Sequence, residues 1–226
     1  MPSLETKLHL QMYKAGKKMR NLSVRMRKAM DILLQKNDVY GLEWGDPESC
    51  EPLGYFRDHF LLPYVSPGTT IAEIGPGGGR WTRYMLNAKR IYAIDYHNQL
   101  LEELRSRFKS ANITYIQNNG DDFPGIADMS IDFIFSFGVF VHLDIEIINR
   151  YLQNMKRLLK PTSNVVINYS DKTKPLAKSN KGFSENNPDI MRSLVRENGY
   201  YIYEEDNISM WNGCIVRFGL SKLTES

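Results

Sequence analysis

Cysteine is scarce in this chain. Cys50 and Cys214 are the only two in 226 residues, and they form no CxxC pair. Zinc ribbons and thioredoxin-type redox centres need closely spaced thiols and are excluded on that ground. Two isolated thiols fit a reducing compartment, so a cytoplasmic location is expected. No apolar run approaches the roughly 20 residues that a membrane-spanning helix needs. The first residues lack the charged-then-apolar order of a secretory signal, so neither a transmembrane segment nor a leader is expected. A strong charge of one sign is also missing, because the formal net charge is +3. It is uneven: the segment to Tyr40 holds nine basic residues and three acidic ones (Glu5, Asp31, Asp38), a net +6, which leaves −3 for the rest. The body therefore has no broad basic surface, and nucleic acid is not an expected partner.

Hydrophobic residues make up 42% of the chain, enough for a sizeable core. Near the N-terminus Leu8, Met12, Ala15, Met19, Leu22, Met26, Ala29 and Leu33 alternate spacings of four and three, which predicts a long helix with a heptad seam. Three uses of it stay open: packing on its own chain, pairing in a homodimer, or laying a basic face on an anionic membrane. Tyr40 to Pro67 reads as a cover segment. It contains the turn-forming Trp44-Gly45-Asp46-Pro47 and a short helix around Tyr55 to Leu62 that is expected to stop before Pro63.

From Thr69 onward, strand and helix alternate. Strands are expected at 69–74, 90–94, 113–116, 131–135, 165–168, 200–203 and 214–218. Trp81, Tyr84 and Met85 predict a helix after the first strand, and Leu101, Leu104 and Phe108 one after the second. Ile147 to Leu159 predicts a strongly amphipathic helix that ends at Lys160-Pro161. Asn187-Pro188 predicts an N-cap with proline in the first turn of a helix that ends at Gly199. The pattern implies an α/β fold: a Rossmann-like, seven-stranded, mostly parallel sheet with helices on both faces, plus an N-terminal helical extension. The expected division is 1–66 for the helix and cover and 67–226 for the nucleotide-binding domain.

The sharpest motif is Glu73-Ile74-Gly75-Pro76-Gly77-Gly78-Gly79, directly after the first strand. Glycines there let the backbone approach a ligand closely and turn tightly. Asp95 ends the second strand, where nucleotide-binding folds place an acid that accepts hydrogen bonds from ribose hydroxyls. A dinucleotide fingerprint counted from Gly75 would need its third glycine where Arg80 stands, so that pattern is broken.

The stretch Ala72 to Arg80 resembles the acid-x-G-x-G-x-G signature of class I S-adenosylmethionine-dependent methyltransferases. Ile91 to Tyr96, Gln117 to Phe123, Ile131 to Leu143 and Leu158 to Tyr169 follow in that family's order, so the resemblance spans roughly Leu53 to Phe218. The chain is also similar to methyltransferases of glycan and polysaccharide biosynthesis. The resemblance implies S-adenosylmethionine as cofactor, with Glu73, Gly75 and Gly77 at its methionine part, Asp95 on the ribose and Tyr96 against the adenine. Asn119 stands where the family often has an Asp that reaches the adenine amino group; its side-chain oxygen accepts the same bond. Gly120 and Asp121 flank that place, and Ser136 and Phe137 match positions beside the methionine end. Ser136-Phe137-Gly138 lacks the Asn/Asp-Pro-Pro-aromatic run of enzymes that methylate amino groups of DNA bases.

The implied activity is methyl transfer to a small-molecule or glycan acceptor, at oxygen. A lipid, amine or protein acceptor, a nicotinamide-dependent oxidoreductase and a non-catalytic cofactor-binding module remain alternatives. A hydroxyl acceptor calls for a base. His142 and Asp144 after strand four, and Asp171 after strand five, are the candidates at the sheet edge where ligands of open α/β folds bind. Imidazole exchanges protons near neutral pH, which favours His142, and the flanking Val141 and Leu143 are expected to shield it from water. Asp144 also suits a helix N-cap. Tyr169 could position an acceptor. Asp144 and Asp171 do not by themselves make a metal site, and no metal is expected.

Overall fold

The computed structural model describes residues 41–221. The predicted N-terminal helix and its dimer, packing and membrane alternatives lie outside those residues.

Seven strands form one sheet in the order β3-β2-β1-β4-β5-β7-β6. They are β1 (Thr70–Ile74), β2 (Arg90–Asp95), β3 (Ile113–Gln117), β4 (Ile131–Ser136), β5 (Leu159–Ser170), β6 (Tyr201–Asp206) and β7 (Gly213–Gly219). The first five pair in parallel, while β7 runs antiparallel between β5 and β6. The central strands are apolar on both faces because both are covered, as parallel sheets require. Side chains alternate between the two layers with period two. Ile71, Ile91, Phe133, Phe135 and Val166 face one cluster, and Ala72, Ile94, Ile134, Val165 and Ile167 face the other.

The helices are α1 (Glu51–Phe56), α2 (Asn98–Arg107), α3 (Ile145–Met155), α4 (Pro175–Ser179) and α5 (Pro188–Glu197). Helices α3 and α5 cover the second layer through Ile148, Leu152, Met155, Met191 and Val195. The first layer is covered by the segment that α1 begins: Leu53, Phe56, Phe60 and Leu61 pack with Trp81, Met85 and Leu104. The described part of the cover thus shares its core with the sheet. As expected, Asn187 caps α5 by accepting the Ile190 N–H at 3.0 Å, with Pro188 in the first turn.

Three local expectations are corrected. The stretch after the glycine run keeps its apolar face, with Trp81 and Met85 buried, but it forms only a 3-10 turn at Thr82–Tyr84. Gly77 and Gly79 sit at positive φ and lie directly upstream, where ordering glycines into a helix is entropically costly. Next, the cover helix does not stop before Pro63: it passes through a wide turn at Arg57–Leu61 into a 3-10 turn at Leu62–Tyr64. Finally, helix α3 gives way at Met155, and β5 already begins at Leu159, which pairs with Ile131. The register then jumps to Asn164 opposite Phe133, so Pro161 sits in an irregularity where no ladder hydrogen bond is asked of it.

Beyond β5, Lys174 organises the site end of the sheet. Its Nζ donates to the carbonyls of Asn207, Met210 and Gly213 at 2.6, 2.8 and 2.7 Å and ties the β6–β7 loop to the segment before α4.

Candidate active site

The carboxyl ends of β1, β2, β4 and β5 share one edge, the place where open α/β sheets bind ligands. The glycine loop leaves β1 there. Gly75 donates its N–H to the Ile94 carbonyl at 2.8 Å, which fixes the loop to the end of β2. Gly75 has φ +71°, and a Cβ on it would fall 2.0 Å from Val139 Cγ2, so only glycine fits.

Glu73 is buried beneath the loop and accepts a hydrogen bond from Thr82 Oγ1 at 2.7 Å. Burial pushes its carboxyl up to about 8, against the Thr82 hydroxyl and helped by the nearby Asp95 charge. Asp95 is also buried and raised, first by desolvation. The His97 N–H donates to its Oδ1 at 2.9 Å, and the N–H groups of Gly77 and Tyr96 oppose the shift as well. Both carboxyls are raised chiefly by burial, and a positively charged ligand beside them would favour their ionised forms.

Glu73 also makes stability depend on pH. Its folded carboxyl is raised above the unfolded value, so its favourable contribution is complete below about pH 4.5 and is lost as pH rises to about 8. Glu73→Gln keeps an acceptor for Thr82 and cannot ionise. Its stability relative to wild type should climb by up to about 1.4 kcal/mol per pH unit across that window. Urea melts of both proteins at several pH values check this; a difference that stays constant would mean that Glu73 is ionised throughout.

A cleft of about 560 Å³ opens beyond β2 and β3, lined by Tyr96, His97, Asn98, Gln117, Asn118 and Asn119. Neither the glycine loop nor His142 lines it. Tyr96 is 59% exposed at its wall, a ring free for a stacking partner. Asn119 is exposed and spends its N–H groups on Asp122, at 2.7 Å from the backbone and 2.8 Å from the side chain. That leaves Asn119 Oδ1 as an acceptor.

The 118–122 loop hangs on a residue outside the expected set. Buried Asn118 donates to the Asp122 carbonyl at 3.1 Å and to Tyr151 Oη at 3.0 Å, and its Oδ1 accepts the Gly120 N–H at 3.3 Å. Asp121 does not join the cleft: its side chain pairs with Arg150 on α3.

At the end of β4, Ser136 is buried and donates to the Ile74 carbonyl at 2.9 Å, locking β4 to β1. The Phe137 ring points into the cover, 4.7 Å from both Phe56 and Trp81, so only its backbone remains at the edge. The Gly138 N–H reaches Asn168 Oδ1 at 3.3 Å, a contact with a buried β5 side chain that the spacing of motifs does not flag.

The three candidate bases separate. His142 is exposed, so Val141 and Leu143 do not shield it: Val141 turns into the core and leaves the imidazole outside. Its Nδ1 lies 2.7 Å from the Gly182 carbonyl oxygen, with the Phe183 ring edge-on at 5.2 Å. Asp144 occupies the N-cap position of α3 with an exposed side chain that makes no cap bond; its carbonyl accepts from Ile147 and Ile148, both at 3.0 Å. Asp171 is buried. Its Oδ1 accepts from the Thr173 N–H at 3.0 Å and the Thr173 hydroxyl at 2.6 Å, and Cys214 Sγ lies 3.5 Å from Oδ2. Both of its oxygens are engaged by the chain itself. Tyr169 is wholly buried in the core and cannot meet an acceptor.

The family described as "Methyltransferase domain" matches residues 71–162, the span from β1 into β5 that contains the glycine loop, Asp95 and His142. No curated protein sequence matches the chain. Among solved structures, an S-adenosylmethionine-dependent methyltransferase from Mesorhizobium loti superposes with a TM-score of 0.63 at 15% identity, over 76% of this chain and 99% of that one. One from Aquifex aeolicus gives 0.58 at 18% identity, over 84% and 98%. The glycopeptide N-methyltransferase MtfA, solved with S-adenosylmethionine, gives 0.56 at 15% identity, over 73% and 86%. Residues 71–162 therefore match a methyltransferase domain, and the sheet around them has the fold of S-adenosylmethionine-dependent methyltransferases.

Proposed function

We propose that the protein transfers a methyl group from S-adenosylmethionine to an oxygen of a small-molecule or glycan acceptor, with His142 as general base. The observation that carries the cofactor is the pair of buried acids, Glu73 and Asp95, at a glycine loop where only glycine fits. A cation beside them and a hydroxylated ribose at Asp95 suit that donor and acceptor set. Glu73 and the loop would hold the methionine part, Asp95 the ribose, and Tyr96 with Asn119 the adenine. The strand order supports this reading over a nicotinamide enzyme. Dinucleotide folds run 3-2-1-4-5-6 in parallel, whereas here an antiparallel β7 lies between β5 and β6.

Bound S-adenosylmethionine supplies a methyl carbon on a sulfonium that leaves as a neutral thioether once the acceptor oxygen bonds to that carbon. The chain's tasks are to orient the acceptor, to exclude water and to take up the proton its hydroxyl loses. His142 is the base candidate with a ring open to a ligand, while Asp171 is sealed and bonded. Asp144 is exposed and is the second candidate.

Incubation with methyl-labelled cofactor and a panel of sugars, nucleotide sugars, phenols, amines and lipid vesicles tests the acceptor. Label on a hydroxyl of a sugar or small molecule supports the reading. Label only on nitrogen or on lipid would replace it with the corresponding methyltransferase, and MtfA, an N-methyltransferase by its name, makes nitrogen a necessary arm.

A further inference from the structure

A neutral imidazole has one proton and two nitrogens, and only the bare nitrogen can act as a base. A carbonyl oxygen can only accept, so its 2.7 Å approach to His142 Nδ1 requires the proton to be on that nitrogen. In the neutral ring Nε2 then keeps the lone pair, whereas an unconstrained histidine side chain favours the opposite tautomer.

The Gly182 carbonyl is held in place by a turn. Asn180 Oδ1 accepts the Gly182 N–H at 3.0 Å, and the Phe183 N–H closes back on the Asn180 carbonyl at 3.2 Å. Lys172 Nζ donates to that same carbonyl at 3.1 Å. Just beyond the turn, the Ser184 N–H donates to the Val141 carbonyl at 2.8 Å, and Ser170 Oγ donates to the Ser184 carbonyl at 2.8 Å. The segment after β5 is therefore stitched to the loop after β4 at Val141, directly before His142, and Phe183 steadies the ring from its edge.

We infer that Asn180 is a positioning residue for His142: its side chain closes the turn that aims the Gly182 carbonyl at Nδ1 and so makes Nε2 the proton-accepting atom. This deepens the proposed function and rests on His142 being its base. Asn180 is exposed and its side chain bonds only within its own turn, so replacing it tests the turn without unfolding the sheet.

Nitrogen resonances of ¹⁵N-labelled histidine, recorded on the full chain in mildly alkaline buffer, report the tautomer without any acceptor. The wild type should show a protonated Nδ1 and a bare Nε2 at His142. Asn180→Ala should move the population toward protonated Nε2. It should also lower kcat about 10-fold on the acceptor that the labelled panel returns, the scale seen when the hydrogen bond that orients an imidazole is lost, and leave the KM for S-adenosylmethionine unchanged. Asn180→Asp should restore both, because a carboxylate oxygen accepts the same Gly182 N–H. A protonated Nε2 in the wild type would overturn the inference, as would an Asn180→Ala variant with unchanged tautomer and kcat. A bare Nε2 together with a fully active His142→Gln variant would overturn the base and leave the turn geometry standing.

Discussion

His142→Gln should lower turnover by about 10²- to 10⁴-fold, the usual contribution of a positioned general base, and leave cofactor affinity within a few-fold of wild type. The split follows from position. His142 lies beyond β4, is fixed to Gly182, and does not line the open cleft. Glutamine keeps a polar side chain but has no nitrogen that can accept a proton, so His142→Ala should fail to a similar extent. Rapid-quench measurement of a single turnover with labelled cofactor separates the chemical step from release. If both variants turn over within a few-fold of wild type, His142 is a structural contact of the 180–184 segment, and Asp144 becomes the base to test.

The second large effect is on binding. Asp95→Ala should weaken S-adenosylmethionine by about 1.5–3 kcal/mol, the range for hydrogen bonds to a charged group, with Tm little changed. Little stability is at stake, because desolvation raises Asp95 against the backbone N–H groups of His97, Gly77 and Tyr96 and the electrostatic pull of the His97 side chain. A folded Asp95→Ala variant with wild-type affinity would remove the residue from the ribose site. Asp95→Asn should show an intermediate loss, since it keeps one acceptor oxygen.

What could be read from the sequence was what is encoded locally. The strands stand out because buried parallel strands are continuous apolar runs, and Phe133 to Phe135 or Val165 to Ile167 need no partner to be recognised. Asn187-Pro188 announces its helix within four residues. Glu73 and Asp95 were legible because the ends of adjacent parallel strands must lie side by side. The misreadings come from contacts that residue spacing does not announce. Trp81, Tyr84 and Met85 carry helical spacing, yet the glycines before them and the packing on Phe56 and Phe137 settle a 3-10 turn. Asp171 looks like a free acid at a strand end until Thr173 folds back on it. Asn118, Asn168 and Thr82 act through bonds to backbone or side chains elsewhere in the chain, and no spacing announces them; Asn180 closes a local turn whose use depends on His142, far away in sequence. Asn118 to Tyr151 spans 33 positions and His142 to Gly182 spans 40. Asp121 and Phe137 sit at the expected places in the chain, but their side chains are drawn away by Arg150 and by the cover.

The claim on which the rest depends is that Glu73, the glycine loop and Asp95 hold S-adenosylmethionine. Isothermal titration of the full chain with S-adenosylmethionine, S-adenosylhomocysteine and NAD tests it most directly. Saturable one-site binding of the first two and none of NAD is the predicted result, with affinity for both lost in step in Asp95→Ala. Tight NAD binding with no response to S-adenosylmethionine or its demethylated product would contradict the account.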